Sequence, residues 1–183
     1  MATIAGRRVR TVFLDRDGTV NVKAPDGEYI TSPADLVLLP GAARAIAALN
    51  QRGVRTVLVT NQRWLSRPSA DLARFAAVHA RLQELLAAEG ARLDAAYHCP
   101  HAAGTCDCRK PLAGMLTRAA REHGLDLAEA VMIGDSDSDM LAGKAAGTAT
   151  VLVGTGGRDA GGADAVAEDL AAAVRLILGG GGA

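Results

Sequence analysis

The sequence predicts an α/β fold in the form of a three-layer, Rossmann-like parallel sheet with helices on both faces. Short runs of β-branched residues alternate with longer stretches rich in alanine and leucine, a pattern typical of parallel sheets covered by helices. The chain has 183 residues, of which 49% are hydrophobic, enough for one core and too few for two ordinary domains. We therefore expect a single domain over 1–178, followed by a flexible glycine tail at 179–183.

The first half of the chain contains two predicted strands, and polar residues follow each of them. A strand at 9–14 leads into a polar segment that reaches Pro40 and is too short for a large cap domain. A helix at 41–51 ends before a glycine, and a strand at 54–59 follows. Ser69 is the expected N-cap of a long helix whose apolar face is formed by Leu72, Phe75, Leu82 and Leu86.

The second half continues the same alternation. It contains five further predicted elements, which are strands at 94–98, 130–133 and 148–153 and helices at 138–146 and 167–178. Pro111 suits the first turn of one more helix, which ends at Gly124. The inward face of that helix is expected to consist of Leu112, Met115, Leu116 and Ala119.

The composition argues against several classes of function. The 20 basic and 20 acidic residues cancel and aromatic residues make up only 3%, so nothing favours binding to nucleic acid or to an anionic membrane. Apolar runs fall short of the ~20 residues of a membrane span, and the N-terminus lacks a signal-peptide core. Three clustered cysteines do not make a disulfide framework. We expect a soluble cytoplasmic protein that is a monomer or a weak homodimer.

Polar side chains follow four predicted strands at the points where those strands end. They are Asp15 and Asp17 after the first strand, Thr60-Asn61-Gln62 after the second, Arg109-Lys110 beyond the third, and Asp135 after the fourth. Parallel strands carry their carboxyl ends to one edge of the sheet, where ligands bind. We therefore expect these side chains to lie close together.

This set of groups fits phosphoryl transfer assisted by a divalent cation. Asp15 and Asp17 would repel each other unless a cation offset their charge, and Asp135 can supply a further oxygen ligand. Mg²⁺ prefers one or two carboxylates, waters and a substrate phosphate. Thr60 and Lys110 would hold the phosphoryl oxygens while one aspartate attacks phosphorus and the other protonates the leaving alkoxide. A solvated turn or a calcium loop would explain the two aspartates alone, but not the four strand ends together.

Four motifs in this order resemble those of the haloacid dehalogenase-like phosphatases. They are Asp15-Arg16-Asp17-Gly18-Thr19, Thr60-Asn61-Gln62, Lys110 and Gly134-Asp135-Ser136-Asp137-Ser138-Asp139. The resemblance implies that Asp15 is the nucleophile and Asp17 the general acid/base, with Thr60 and Lys110 on the phosphate. It also implies that Asp15, Asp135 and the backbone carbonyl of Asp17 hold Mg²⁺. Asp139 is expected to orient Lys110 or a metal-bound water rather than to bind the metal directly.

The three cysteines gather with a histidine in the segment 99–108. Cys99, His101, Cys106 and Cys108 supply three thiolates and an imidazole, a donor set typical of closed tetrahedral structural zinc sites. His98 is a competing ligand, although on a strand its side chain should face away from those of its neighbours. The other interpretation is three reduced surface cysteines beside an ordinary histidine.

This zinc loop, with the Cys108-Arg109-Lys110-Pro111 that ends it, is similar to one subgroup of the family. The subgroup contains the D-glycero-D-manno-heptose 1,7-bisphosphate phosphatases and the histidinol-phosphate phosphatase domains. The resemblance implies hydrolysis of the 7-phosphate of the heptose bisphosphate through an aspartyl-phosphate, with histidinol phosphate or another small sugar phosphate as the alternative substrate. It further implies that Arg109 contacts the second phosphate; otherwise Arg109 pairs with Asp107 on the surface.

The residues after the second motif depart from the pattern of that subgroup. Where the subgroup usually has serine-glycine and an arginine-glycine pair, this chain has Arg63-Trp64-Leu65-Ser66-Arg67-Pro68. Trp64 either stacks on a sugar face or covers the edge of the sheet, and Arg63 and Arg67 fit a further phosphate or carboxylate. The candidate substrate contacts are Asn61, Gln62, Arg63, Arg109, Lys23 and Asp26.

Overall fold

A computed structural model describes residues 1–68, 70–154 and 162–179. A small antiparallel hairpin, β1 (Thr3–Ile4) and β2 (Arg7–Arg8), precedes the main sheet. The main sheet consists of β3 (Thr11–Leu14), β4 (Arg55–Asn61), β5 (Ala95–Cys99), β6 (Ala130–Gly134), β7 (Ala149–Val153) and β8 (Ala165–Ala167). Its strand order is β5-β4-β3-β6-β7-β8, and every neighbouring pair is parallel.

Helices cover both faces of this sheet, because successive residues of a buried strand point to opposite sides. Val12 and Leu14 pack into one core with α1 (Ala42–Gln51), α2 (Leu72–Ala87) and α5 (Leu170–Leu178). Phe13, which lies between them in β3, packs into the other core with α3 (Gly114–His123) and α4 (Asp137–Ala146). The α/β fold with a parallel sheet and helices on both faces is therefore confirmed.

The helix boundaries differ from the predicted ones where a capping side chain sets them. The last helix was expected from 167, but Ala167 belongs to β8, and α5 begins at Leu170 after its N-cap Asp169. The carboxylate of Asp169 accepts a hydrogen bond from the backbone N–H of Ala172 at 2.7 Å. Asp71 is the N-cap of α2 and accepts from the N–H of Ala73 at 2.8 Å. The expected cap, Ser69, lies outside the described residues.

Two predicted inward faces are wrong at their N-terminal positions. Leu72 in the first turn of α2 is 69% exposed, and the buried face of that helix consists of Val78, Leu82 and Leu86. Helix α3 begins at Gly114, so Pro111 precedes the helix instead of forming its first turn, and Leu112 is 48% exposed. In both cases the predicted inward face included an apolar residue at or before the first turn of the helix, whereas the buried face begins further along the helix.

The hairpin at the start of the chain and the cap of α5 near its end complete the described elements. The hairpin β1–β2 was not predicted, because its turn at Ala5-Gly6 carries only one glycine, although both residues have positive φ. Of the expected tail at 179–183, only Gly179 is described, and it caps α5 with φ 76°. No helix in the described part of the chain combines the length and the apolar character needed to cross a membrane.

Candidate active site

The carboxyl ends of β3, β4 and β6 open into one cavity of about 260 Å³. Asp15 directly follows β3, Thr60 and Asn61 end β4, and Asp135 directly follows β6. The structure thus brings together the polar groups expected at the strand ends. The cavity lining includes Asp15, Asp17, Thr60, Asn61, Arg109, Lys110, Asp135 and Asp139.

Lys110 forms the centre of a buried charge cluster beneath this cavity. Its ammonium nitrogen lies 2.6 Å from a carboxylate oxygen of Asp15 and 2.6 Å from one of Asp139. It also donates a hydrogen bond to the backbone carbonyl of Val59 at 2.9 Å. Burial alone would lower the pKa of Lys110, but the two carboxylates outweigh it and raise that pKa. The side chain is therefore a fixed cation.

The backbone of Lys110 is held by Asn61, which the sequence had suggested as a substrate contact. The side-chain amide of Asn61 donates to the carbonyl of Lys110 at 3.0 Å, and its oxygen accepts from the N–H of Lys110 at 3.1 Å. This reciprocal pair ties the loop after β5 to the end of β4. Asn61 also lines the cavity, so its position allows it to reach a ligand as well.

Asp15 is a buried carboxyl whose surroundings shift its pKa in opposite directions. Burial raises its pKa to about 7; the charge of Lys110 acts in the lowering direction, and the charges of Asp139 and Asp17 add to the rise. Further positive charge beside Asp15 would favour its ionised form.

The residues around Asp15 fit a divalent cation such as Mg²⁺. Asp15, Asp135 and Asp139 each offer a carboxylate oxygen, and these three atoms lie within 4.8 Å of one another. An all-oxygen set is the type that hard cations prefer. Gly18, at φ 90°, makes the close approach possible, since a Cβ there would collide with the carboxylate of Asp135.

Asp139 uses both of its oxygens within the protein. One pairs with Lys110, and the other accepts hydrogen bonds from the hydroxyl of Ser136 at 2.6 Å and from its backbone N–H at 3.2 Å. Gly134 allows this packing, because a Cβ there would overlap the Asp139 side chain. Such an arrangement fits a residue that orients Lys110. Ser136 was not singled out from the sequence, although a serine followed three residues later by an acidic residue, here Asp139, is a helix N-cap signal.

Asp17 is held by two residues that the sequence reasoning missed. Arg16 is 2% exposed, and its guanidinium donates to both carboxylate oxygens of Asp17 at 3.0–3.1 Å. The buried side-chain amide of Asn21 adds a hydrogen bond at 2.9 Å. Arginine inside a buried motif was the available signal, because a buried guanidinium requires an acidic partner.

Gln62 connects the first two motifs from below the cavity. Its side-chain nitrogen donates to a carboxylate oxygen of Asp17 at 3.0 Å and to the hydroxyl oxygen of Thr60 at 2.9 Å. Its carbonyl oxygen accepts from the indole N–H of Trp64 at 2.8 Å. Gln62 is fully buried and Trp64 is only 6% exposed, so the indole ring is not free to stack on a sugar.

The rim of the cavity contains most of the remaining candidate contacts. Lys23 and Asp26 line it, and the ammonium of Lys23 lies 3.2 Å from a carboxylate oxygen of Asp135. Arg109 lines it as well and donates weakly to the carbonyl of His101 at 3.4 Å. Among the described ion pairs none joins Arg109 to Asp107. The described lining residues do not include Arg63, which is exposed on the turn after β4.

The four-residue cluster predicted for zinc is assembled next to Lys110. The sulfurs of Cys99, Cys106 and Cys108 lie 3.3–3.6 Å apart, and Nδ1 of His101 lies 3.3 Å and 3.7 Å from two of them. A tetrahedral zinc site with ordinary bond lengths has edges of about 3.7 Å, so the donors fit such an ion. His98 takes no part, because its ring packs on Phe75 with the ring centroids 4.4 Å apart.

Comparisons with known proteins match either the C-terminal part of the chain or nearly all of it. The HAD-hydrolase-like family model matches residues 107–174. A D-glycero-D-manno-heptose-1,7-bisphosphate 7-phosphatase of Thermosynechococcus vestitus is 42% identical, covering 91% of this chain and 94% of that protein. The D-glycero-beta-D-manno-heptose-1,7-bisphosphate 7-phosphatase of Bordetella bronchiseptica is 40% identical, covering 93% of this chain and 98% of that protein. The crystal structure of D,D-heptose 1,7-bisphosphate phosphatase from B. bronchiseptica, complexed with magnesium and phosphate, matches with a TM-score of 0.84 at 38% identity, over 94% of this chain and 99% of that one.

Proposed function

The chain belongs to the haloacid dehalogenase-like phosphatases, and we propose that it hydrolyses the 7-phosphate of D-glycero-D-manno-heptose 1,7-bisphosphate with Mg²⁺ as cofactor. The observation that carries this proposal is the placement of Asp15 and Lys110, 2.6 Å apart, beneath a cavity whose rim holds Arg109. The names of the relatives that match nearly the whole chain support the sugar and the position of the phosphate.

In this proposal Asp15 and Asp17 divide the chemistry between them. An oxygen of Asp15 attacks phosphorus, the bond from phosphorus to the sugar oxygen breaks, and Asp17 gives its proton to that oxygen. Water then attacks the aspartyl-phosphate, Asp17 takes a proton from the water, and the bond between phosphorus and Asp15 breaks. The products are the monophosphate sugar and inorganic phosphate, and both aspartates return to their starting states.

Lys110 and Thr60 would bind and stabilise the phosphoryl group. The ammonium of Lys110 lies beside Asp15, where it offsets negative charge that the transferring phosphoryl oxygens bring. Thr60 accepts a hydrogen bond from Gln62 at its oxygen, which leaves its own hydroxyl proton free for donation to a phosphoryl oxygen.

Mg²⁺ would be held by the carboxylates of Asp15 and Asp135 and by the backbone carbonyl of Asp17. When bound, the ion supplies positive charge that offsets the phosphate and favours the ionised form of Asp15. The oxygen cluster described above and the buried position of Asp15 support this assignment.

The zinc loop would act as a structural clamp for specificity. Zn²⁺ bound by Cys99, His101, Cys106 and Cys108 would fix the backbone that leads into Arg109 and Lys110. Arg109 would then contact the second phosphate of the sugar. The proposal covers one catalytic domain over 1–178, a monomer or weak homodimer, and a cytoplasmic location, where a reducing milieu keeps three thiols available as metal ligands.

Histidinol phosphate is the second candidate substrate. Asp26 and Glu28 line the mouth of the cavity, and their carboxylates suit an amine-bearing substrate better than a second phosphate. Arg109 on the same cavity favours the bisphosphate.

The test compares kcat/KM for phosphate release from both anomers of heptose 1,7-bisphosphate and from histidinol phosphate. We expect a large preference for the bisphosphate, and we expect Arg109→Ala to lower kcat/KM for the bisphosphate ~10²-fold more than for a sugar monophosphate. Arg44→Ala, which removes an exposed guanidinium on α1, is the matched control and should leave kcat/KM for both substrates unchanged. A preference for histidinol phosphate, or equal losses in Arg109→Ala, would contradict the proposed substrate and leave the phosphatase assignment in place.

A further inference from the structure

We propose that Trp64 is a positioning residue for acid/base chemistry, because its indole N–H fixes the orientation of the Gln62 amide against Asp17. This inference rests on the proposed function, in which Asp17 exchanges protons with the leaving group and with water. Trp64 lies in the segment Arg63 to Pro68, which the sequence marked as a departure from the subgroup's usual pattern, and its indole N–H donates to the side-chain oxygen of Gln62 at 2.8 Å.

The orientation of Gln62 follows from the donors and acceptors around it. An indole nitrogen can only donate, so the side-chain oxygen of Gln62 must face Trp64. The amide nitrogen then faces the opposite way, and its two N–H groups match the two remaining acceptors: a carboxylate oxygen of Asp17 at 3.0 Å and the hydroxyl oxygen of Thr60 at 2.9 Å. The side-chain oxygen of Gln62 and both of its amide N–H groups therefore each have a hydrogen-bond partner.

The reversed orientation of the amide would be unfavourable with Trp64 in place. It would set the Gln62 oxygen against the carboxylate of Asp17 and the amide N–H₂ against the indole N–H. Because Gln62 is fully buried and Trp64 almost so, water cannot easily compensate for these mismatches. Trp64 therefore removes the choice between the two orientations.

Without the indole N–H, the orientation of the Gln62 amide depends on Asp17 alone, which distinguishes the two ends only while its carboxylate is an ionised acceptor. Arg16 and Asn21 still hold Asp17 from their side, so the carboxyl stays near the cavity but loses a fixed contact at one oxygen. Proton transfer depends on the placement of the acid within hydrogen-bond reach of the leaving oxygen. We expect the loss to appear in proton transfer to poor leaving groups.

The experiment compares Trp64→Phe with the wild-type enzyme on two substrates. A sugar phosphate releases an alkoxide that requires a proton, whereas 4-nitrophenyl phosphate releases a phenolate that leaves without one. The ratio of kcat/KM for the sugar phosphate to kcat/KM for the aryl phosphate isolates the acid, because kcat/KM reports only steps up to departure of the leaving group. Effects on the phosphoryl group through Thr60 are common to both substrates and cancel in this ratio.

We expect Trp64→Phe to lower this ratio about tenfold, a part of the ~10²–10⁴-fold that a general acid contributes. Ser66→Ala is the matched control: it removes a hydrogen bond to the carbonyl of Arg63 at 2.8 Å in the same turn without touching Gln62, and it should leave the ratio unchanged. Gln62→Met keeps the length of the side chain, removes its amide and should reproduce the fall, which keeps the test decisive if Trp64→Phe does not fold.

An unchanged ratio in a folded variant, with or without an equal loss on both substrates, would overturn the positioning role. Absence of activity on both substrates in the wild-type enzyme would instead contradict the proposed function itself. The two failures are therefore distinguishable.

Discussion

Replacement of Lys110 by methionine should destabilise the folded protein, because it removes the positive charge between buried carboxylates of the active site. Lys110 is the cation that pairs with Asp15 and Asp139, and all three side chains are buried. Methionine has similar length and packs among apolar groups, but it leaves two carboxylates facing each other without a counter-charge. It also leaves the carbonyl of Val59 without its donor.

The expected loss is a large part of the stability of the domain. Removal of one partner from a buried ion pair costs about 3–5 kcal/mol, and for a chain of this size each kcal/mol lowers Tm by about 2–4 °C. Lys110→Met should therefore lower Tm by about 6–20 °C in the presence of EDTA. EDTA is required because a cation bound to the folded state would mask part of the loss.

The loss should grow with pH, and the sign follows from linkage. Burial already raises the pKa of Asp15 to about 7 in the wild-type protein, and removal of Lys110 takes away the charge that lowers it. A carboxyl whose pKa is raised on folding stabilises the folded state while it is protonated, and that stability disappears as the pH rises through the folded pKa. The difference in Tm between wild type and variant should thus be smaller near pH 5 than near pH 8.

Thermal unfolding at the two pH values checks this prediction, and the double variant Lys110→Met/Asp139→Asn supplies the control. Removal of the second carboxylate relieves the repulsion, so the double variant should regain part of the lost Tm while remaining inactive. A single variant as stable as wild type near pH 8 in EDTA would refute the reasoning.

Three further outcomes are expected. Asp15→Asn should abolish turnover with an unchanged circular dichroism spectrum; residual turnover would remove Asp15 as the nucleophile. In the presence of a chelator the stability of the wild-type protein should fall between about pH 5 and pH 8, because burial raises the pKa of Asp15 to about 7, and saturating Mg²⁺ should flatten this dependence. Elemental analysis should find about one zinc per chain that survives mild chelation, and Cys108→Ser should lower both zinc content and Tm; folded wild-type protein without metal would contradict the structural site.

The fold and the outline of the site could be predicted because the sequence shows both the buried apolar strands and the polar residues that directly follow them. Buried apolar strands followed directly by Asp15 or Asp135 leave few positions for those carboxylates other than the carboxyl edge of a parallel sheet. The four candidate metal ligands in the segment 99–108 could also be predicted from the sequence, because they lie close together in the chain. Local sequence is enough when the interacting residues belong to one loop or to adjacent strand ends.

The support beneath the site could not be predicted in the same way. Thr60, Asn61 and Gln62 are consecutive, yet their side chains serve three different partners: one faces the cavity, one holds the Lys110 backbone, and one reaches Asp17. The direction of each side chain depends on the loop after β5, which is distant in sequence, and on Trp64, which lies in the short 3₁₀ helix Arg63–Ser66. Composition and periodicity carry no information on such contacts.

The charges around the cavity give a physical reason for a dication together with the phosphate. The carboxylates of Asp15, Asp135 and Asp139 face the ammonium groups of Lys110 and Lys23, so this cluster carries one negative charge in excess when all are ionised. Asp17 adds none, because Arg16 balances it. A phosphate dianion would raise the excess to three beside the buried side chains of Asp15, Lys110 and Asp139, where unbalanced charge is costly. A dication restores the excess to its value without substrate, so we expect phosphate and Mg²⁺ to bind cooperatively, with each increasing the affinity of the other by the same factor.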